Sequence, residues 1–288
     1  MALKQAFMIK ESLAETGTSL ELTAKVGESL LIKNLRVGSQ NSIVFAECLI
    51  DRLSMGYFYI GTGDENHLEN CSEVGPFPNV FARLIELVVF NGYPIAEGET
   101  FEVRGPSPCT NLNASIHYEV HDAEDIKAEM DCGSKSPSYF FLNYGTNTAQ
   151  IEVSTYGPLD KTRNPSEYPA FPFGQVVPAG HEIDICGILL MDWGGYDDDS
   201  AAEMRYLRMT KDRKVLFDDN RLGIYSTQGM SWFTWGPCRK TQTDIKLFPR
   251  PITFKPGDEL NVELSCGAAS AISAEDVMIA FIEKVRRV

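Results

Sequence analysis

Histidine is scarce in this chain, with 4 among 288 residues, and tryptophan scarcer, with 3. Basic residues are short as well: 26 Lys and Arg stand against 40 Asp and Glu, a net charge of -14. Nucleic acid is held chiefly by Lys and Arg neutralising phosphates, so a chain this acidic is expected to repel it. No run approaches the roughly 20 apolar residues of a membrane-spanning helix. The longest apolar stretches, at 87–90 and 188–191, are strand-sized. The first nineteen residues scatter Lys4, Lys10, Glu11 and Glu15 among apolar ones. They lack the continuous apolar stretch of a signal peptide, and the expectation is synthesis in the cytoplasm. No Cys-x-x-Cys occurs, which removes a zinc knuckle or a thioredoxin-type site. Neither a Gly-x-Ser-x-Gly elbow nor a Walker loop is present.

The 7 cysteines, Cys48, Cys71, Cys109, Cys132, Cys186, Cys238 and Cys266, are odd in number and widely spaced. They read as reduced, mostly buried thiols, with one or two late disulfides as the alternative. Apolar content is 43% and charged content 23%, ordinary for a folded chain that buries real cores. The 23 Gly and 15 Pro cluster between short apolar runs, the grammar of many strands joined by turns.

Self-similarity is the most informative feature. Gly27-Glu-Ser-Leu30-Leu-Ile32 matches Gly180-His-Glu-Ile183-Asp-Ile185, each a turn entering a strand. Downstream, Pro94-Ile95-Ala-Glu-Gly98-Glu99-Thr-Phe101-Glu-Val103 matches Pro251-Ile252-Thr-Phe-Lys-Pro256-Gly257-Asp258-Glu-Leu260-Asn-Val262. Gly27 to Gly98 is 71 residues and Gly180 to Gly257 is 77. The glycines suit turns with positive φ, and the period of two that follows suits a half-buried strand.

Strand-like stretches at 85–87 and 245–247 precede the second motif of each copy, and final strands at 116–120 and 277–283 follow. Further strand signals lie at 42–50, 57–60, 140–153 and 224–235, separated by long loops at 61–79 and 154–174. The reading is an all-β chain of two tandem β-sandwiches, 1–130 and 131–288, joined through about 122–137. Some eight strands per half with long crossing loops suit jelly rolls. A short helical insertion is expected in the second sandwich at 200–208, where Ala201, Met204 and Leu207 recur at helical spacing and Ser200 caps.

Side chains weighed for chemistry mostly read as structural, and no residue is assigned as catalytic, cofactor-binding or metal-ligating. His117 and His121 lie on one expected strand, roughly 13 Å apart at strand rise, too far to share a metal. The cupin pattern, His-x-His followed by Glu, is missing. Asp192, Asp197, Asp198 and Asp199 share a Gly-rich segment that offers oxygen ligands to Ca²⁺ but lacks EF-hand spacing, so a solvated acidic loop is the plainer reading. Asp218 and Asp219 join it only through folding. Met230-Ser-Trp232-Phe233-Thr-Trp235 fills a core or a subunit interface, or else stacks on sugar rings. Lys284, Arg286 and Arg287 form the one compact basic patch and read as a solvated tail, with contact to a subunit, nucleic acid or anionic lipid as the alternative.

Anchored on Gly27, Gly98, Gly180 and Gly257, the tandem pair of sandwiches resembles the double-jelly-roll capsid proteins of icosahedral viruses and phages. The resemblance is architectural and spans the chain. It implies a non-enzymatic virion protein without cofactors, self-associating as a homotrimer that tiles a shell with other virion proteins. It also implies that 61–79, 154–174 and 192–220 are tower or contact loops. The termini would face an inner layer or reach a neighbour. The apolar stretch Tyr168-Pro-Ala-Phe171-Pro-Phe173 would be an exposed patch in a monomer and so would belong to an interface. The competing class is a two-domain carbohydrate- or ligand-binding sandwich, such as a lectin or a tail or fibre component.

Overall fold

The computed structural model describes residues 3–13, 19–39, 44–60, 80–87, 91–105, 112–124, 138–162, 171–192, 204–218, 245–266, 271–275 and 277–288. These residues form seventeen strands and one helix. They fall into two compact units, Met1–Phe140 and Phe141–Val288.

The first unit holds β1 (Leu3–Leu13), β2 (Ser19–Thr23), β3 (Glu28–Ser39), β4 (Val44–Ile50), β5 (Leu53–Ile60), α1 (Val80–Glu86), β6 (Tyr93–Ile95), β7 (Thr100–Arg104) and β8 (Leu112–Asp122). The strands alternate as half-buried strands must: Leu20 and Leu22 are buried while Glu21 and Thr23 are exposed. β1 pairs β8, β2 pairs β7, β3 pairs β6 and β4 pairs β5, all antiparallel. Those are the pairings of one long hairpin folded at the β4–β5 turn. Rolling that ribbon adds β8 to β3 and β7 to β4. Two four-stranded sheets result, ordered β1-β8-β3-β6 and β2-β7-β4-β5. This is the jelly roll.

The second unit holds β9 (Ser138–Thr146), β10 (Tyr156–Pro158), β11 (Lys161–Thr162), β12 (His181–Asp192), β13 (Met204–Lys211), β14 (Lys214–Asp218), β15 (Ile245–Phe254), β16 (Leu260–Cys266) and β17 (Val277–Arg287). Its sheets run β11-β9-β17-β12-β15 and β10-β16-β13-β14. With β11 set aside, the strand order is that of the first unit.

The likeness reaches single residues. Leu30 faces Ile95 and Ile32 faces Tyr93 in one unit; Ile183 faces Phe254 and Ile185 faces Ile252 in the other. The β3–β8 ladder bulges between Ile32 and Asn34, and the β12–β17 ladder bulges between Ile185 and Gly187, the same place in the repeat. Gly98 donates its N–H to the Ala24 carbonyl at 3.1 Å, and Gly257 donates to Val177 at 3.0 Å. Both glycines have positive φ, 83° and 86°, which a side chain would resist. The acidic residue after each glycine closes its own turn. Glu99 accepts from the Ala96 N–H and Asp258 from the Lys255 N–H, both at 2.8 Å.

Each unit is filled between its sheets and plugged at one side. In the first, Tyr93 of β6 stacks on Phe101 of β7, the opposite sheet, with ring centroids 5.9 Å apart. α1 brings the fully buried Phe81 edge-on to Tyr93 at 5.5 Å, and Leu84 is buried beside it. In the second, the strand matching β2 is interrupted. Leu159 bonds to Val262 and Val176 bridges Glu259, as Leu20 faces Val103 and Thr23 faces Thr100. Leu159 and Val176 stand seventeen positions apart where their counterparts stand three, so the strand carries a fourteen-residue insertion. β11 within it pairs the edge of β9. Phe171 packs on Phe254 at 5.2 Å and Phe173 on Phe281 at 5.5 Å.

Several sequence expectations change. The stretch 200–208 is not helical where it is described: Met204–Lys211 is β13, a central strand between β16 and β14. Among the described residues the one helix lies in the first unit, where α1 includes Ile85, part of the strand-like stretch 85–87. The described part of the 192–220 loop is mostly strand: Asp192 ends β12, and Met204–Lys211 and Lys214–Asp218 are β13 and β14. Phe171 and Phe173 are buried in their own unit, not displayed as an apolar patch. The strand signal at 224–235 lies outside the described residues.

Candidate functional site

The tight turns of each unit gather at one end. In the first, Ala24 bonds to Glu99, Asp51 to Thr100, and the Lys4 ammonium to the Gly27 carbonyl. In the second, Val177 bonds to Asp258, Asp212 to Glu259, and the Val288 N–H to the Gly180 carbonyl. The starts of β1 and β3 and the ends of β8 and β17 therefore lie at tight-turn ends. β5 and β12 end, at Ile60 and Asp192, at the opposite ends of their units.

The hairpins β4–β5 and β13–β14 turn on the same dipeptide, Asp51-Arg52 and Asp212-Arg213. Their φ angles are 46° and 67° in one, 45° and 67° in the other. Positive φ at both central residues suits the right-handed twist of a two-residue hairpin but is strained for side chains other than Gly, Asn or Asp. Each Asp offsets that strain with its carboxylate, which accepts the Thr100 N–H or the Glu259 N–H, both at 2.9 Å. Sequence reasoning passed over this pair. The repeated Asp-Arg between two strand signals was the cue.

On the β2-β7-β4-β5 sheet, Glu47 of β4 faces Arg104 of β7, with Oε2 and a guanidinium nitrogen 2.5 Å apart. The equivalent positions on the β10-β16-β13-β14 sheet are Arg208 of β13 and Glu263 of β16, 3.3 Å apart. The cross-strand ion pair is kept and its polarity reversed. Arg208 also lies over the Tyr156 ring at 3.7 Å. The Arg104 side chain is 46% exposed, Glu263 32% and Arg208 28%, whereas Glu47 is 10% exposed.

Glu283 is the other notable carboxylate. It is fully buried on β17 beside Ile185. Asn143 Nδ2 donates to its Oε2 at 2.7 Å and to the Phe171 carbonyl at 2.6 Å, while Oε1 has no hydrogen-bond partner. Burial pushes its pKa well above the ordinary value, against the pull of the Asn143 bond. Burial likewise raises the thiol of Cys48, and it pushes Cys186 up to about 11 with help from Asp184. Cys48 and Cys186 are free thiols.

His117 and His121 lie on β8 opposite Asn34 and Ser29. His121 is buried and its Nε2 stands 3.1 Å from Glu119. Among the described residues no group of three or more His, Cys, Asp or Glu is placed to hold a metal. Asp192 ends β12 and Asp218 ends β14. Asp197, Asp198, Asp199, Asp219, His67, Trp232, Phe233 and Trp235 lie outside the described residues. The basic patch is not a tail: Lys284, Arg286 and Arg287 belong to β17, and Arg286 is paired with Glu182 and Asp184 of β12. No helix among the described residues is long and apolar enough to cross a membrane.

No protein-family model matches the chain, and no curated protein does. Among solved structures, the STIV MCP aligns at 10% identity over 97% of each chain, with a TM-score of 0.41. The major capsid protein P2 from bacteriophage PM2 aligns at 10% identity over 98% of each chain, with a TM-score of 0.38. A peptide-N(4)-(N-acetyl-beta-D-glucosaminyl) asparagine amidase aligns at 10% identity over 99% of this chain and 95% of that one, with a TM-score of 0.32. At these scores the likenesses carry no weight for function; the strand order and side-chain chemistry of the chain itself do.

Proposed function

We propose that this chain is a non-enzymatic structural subunit of a virus or phage particle, a double jelly roll that tiles a shell as trimers. The observation that supports the reading is the repetition itself. One chain carries the same eight-strand order twice, with equivalent bulges, turns and registers. Two like units per chain give a trimer six like units around its rim, so a lattice of sixfold-like contacts needs a single kind of chain. The tight-turn end of each unit brings several strand ends together and would make a compact base, while β5 and β12 end at the opposite ends of their units.

Size-exclusion chromatography with light scattering tests this on the purified chain. A species of about three times 32.0 kDa, growing into larger assemblies with concentration, is expected. Electron microscopy of the native source material should show the chain in regular particles. A strictly monomeric chain across salt and concentration, binding glycans in a manner lost on Trp232→Ala and Trp235→Ala, would replace this reading with the carbohydrate-binding one.

A further inference from the structure

The insertion of the second unit is seated on a buried acid. We propose that Glu283 latches this plug: with its carboxyl protonated, the segment at 171–174 is held in the second unit, and loss of that proton raises the fraction of molecules in which the segment has lifted. Such a response to pH belongs to one unit and does not depend on self-assembly.

Asn143 joins the two parts. Its Nδ2 donates to Glu283 Oε2 at 2.7 Å and to the Phe171 carbonyl at 2.6 Å, so one amide holds both the acid and the plug. Glu283 is fully buried, and its Oε1 has no hydrogen-bond partner. A protonated carboxyl leaves one neutral oxygen unpaired there. An ionised one leaves a full charge with a single donor, which costs far more in an apolar interior. The plug also closes against strain. Phe173 has a φ of 62°, a region that a bulky side chain resists. Its ring is seated on Phe281, two residues before Glu283 and on the same face of β17. Val177, bonded to Asp258 and Gly257, anchors the far end. Lifting 171–174 frees Phe173 from that angle and lets water reach the carboxylate.

Among the described residues no cation holds the ionised form. On β17, Phe281 and Val285 share the face of Glu283, while Lys284 and Arg286 alternate to the other, where Arg286 pairs with Glu182 and Asp184. On β12, Ile185 stands opposite, and Asp184 is held by Thr253 and Arg286. The Cys186 thiol, pushed up to about 11 chiefly by burial, is neutral below that. β9 offers Asn143 beside the buried Tyr144, and Lys161 of β11 is paired with Glu275. β15 meets the plug with Phe254, and β13 and β16 bury aliphatic side chains with Ser265 and the Cys266 thiol. Burial therefore keeps the proton on Glu283 well above the ordinary 4.5. The first unit is built without this acid: Tyr118 stands opposite Ile32 where Glu283 stands opposite Ile185.

Hydrogen exchange of the full chain, read by mass spectrometry from about pH 5 to about pH 10, measures the opening. Dividing each rate by the intrinsic exchange rate removes the direct effect of pH. The corrected exchange at 173–177 should rise by up to roughly tenfold per pH unit between 4.5 and the folded value of Glu283, as an opening that releases one proton must. It should stay roughly tenfold or more above that of the β12–β17 ladder, because the plug lifts without the sheet. α1 of the first unit should show no such rise. Glu283→Gln should hold the corrected exchange at 173–177 flat. Glu283→Met, which leaves no oxygen to satisfy, stands in if the Gln variant fails to fold, and thermal unfolding checks each. Glu283 is no latch if the plug of the original chain does not respond to pH, if α1 responds alike, if plug and ladder exchange at one corrected rate, or if a folded variant keeps the rise. The first three of these are read on the original chain and decide the matter even where neither variant folds.

Discussion

Asp51 and Asp212 each hold a hairpin tip whose second residue, Arg52 or Arg213, has a φ of 67°. A side chain in that region costs about 1–3 kcal/mol, and the Asp carboxylate offsets part of it by accepting a backbone N–H from the neighbouring strand. Asp212→Ala should destabilise the second unit by about 1–2 kcal/mol in chemical unfolding, and Asp51→Ala the first by as much. Arg213→Gly should instead stabilise by about 1 kcal/mol. Glu283 supplies a pH-dependent term of the opposite kind. Burial raises its folded pKa above the ordinary 4.5, so its contribution is fully present below that value and is lost as pH rises through the folded value. Phe281 and Val285 share its face of β17 and Ile185 stands opposite, all uncharged; Asp184, Lys284 and Arg286 flank it along β12 and β17. Glu283→Gln should match the original chain in thermal unfolding at pH 4 and exceed it at pH 8. A parallel decline of both with pH would show that the carboxyl is not the cause.

The insertion between Leu159 and Val176 is where the second unit departs from the first. Its Phe171 and Phe173 are buried against Phe254 and Phe281. A Cβ on Gly145 would lie 2.1 Å from the Phe173 ring, so the strand beneath has given up its side chain to seat the plug. Phe171→Ala should cost the second unit about 3–5 kcal/mol in denaturant unfolding. Excising the plug to restore the short β2-like connection should leave the unit unable to fold cooperatively. The sequence had suggested an interface at Phe171 and Phe173 because apolar residues in a loop need a partner, and it could not say that the partner was β9, β15 and β17 of the same unit. The misread helix has a similar cause. Ala201, Met204 and Leu207 fit a helical spacing, but buried Leu207 and Met209 alternate with half-exposed Arg208 and Thr210, and β13 needs that alternation to sit between two strands. At α1 the three-residue stretch read as strand was too short to weigh against Phe81 and Leu84, which share a helical face.

The whole chain carries -14 charges, so copies repel at long range while specific contacts attract at short range. Raising ionic strength from about 10 to about 100 mM shortens the Debye length from roughly 30 to roughly 10 Å. Association should strengthen over that interval, because bulk repulsion is screened before charges in contact are. Light scattering at fixed protein concentration reads this directly. Association that weakens steadily over the same interval would mean that attraction between charges dominates the contact.

Composition, the glycine-led strand entries and the period of two were enough to establish two tandem β-sandwiches. Gly27, Gly98, Gly180 and Gly257 sit in equivalent turns because positive φ after a strand is a local requirement that the chain writes as glycine. The Pro94-Ile95 match to Pro251-Ile252 was misleading by two residues. The ladders align Ile95 with Phe254, a slip that preserves the face because strand side chains repeat every second position. Strand order, the equivalent bulges, the plug, the burial of Glu283 and the reversed polarity of Glu47–Arg104 against Arg208–Glu263 were decided only in three dimensions. Each depends on which residues far apart in the chain become neighbours, and no local pattern specifies that.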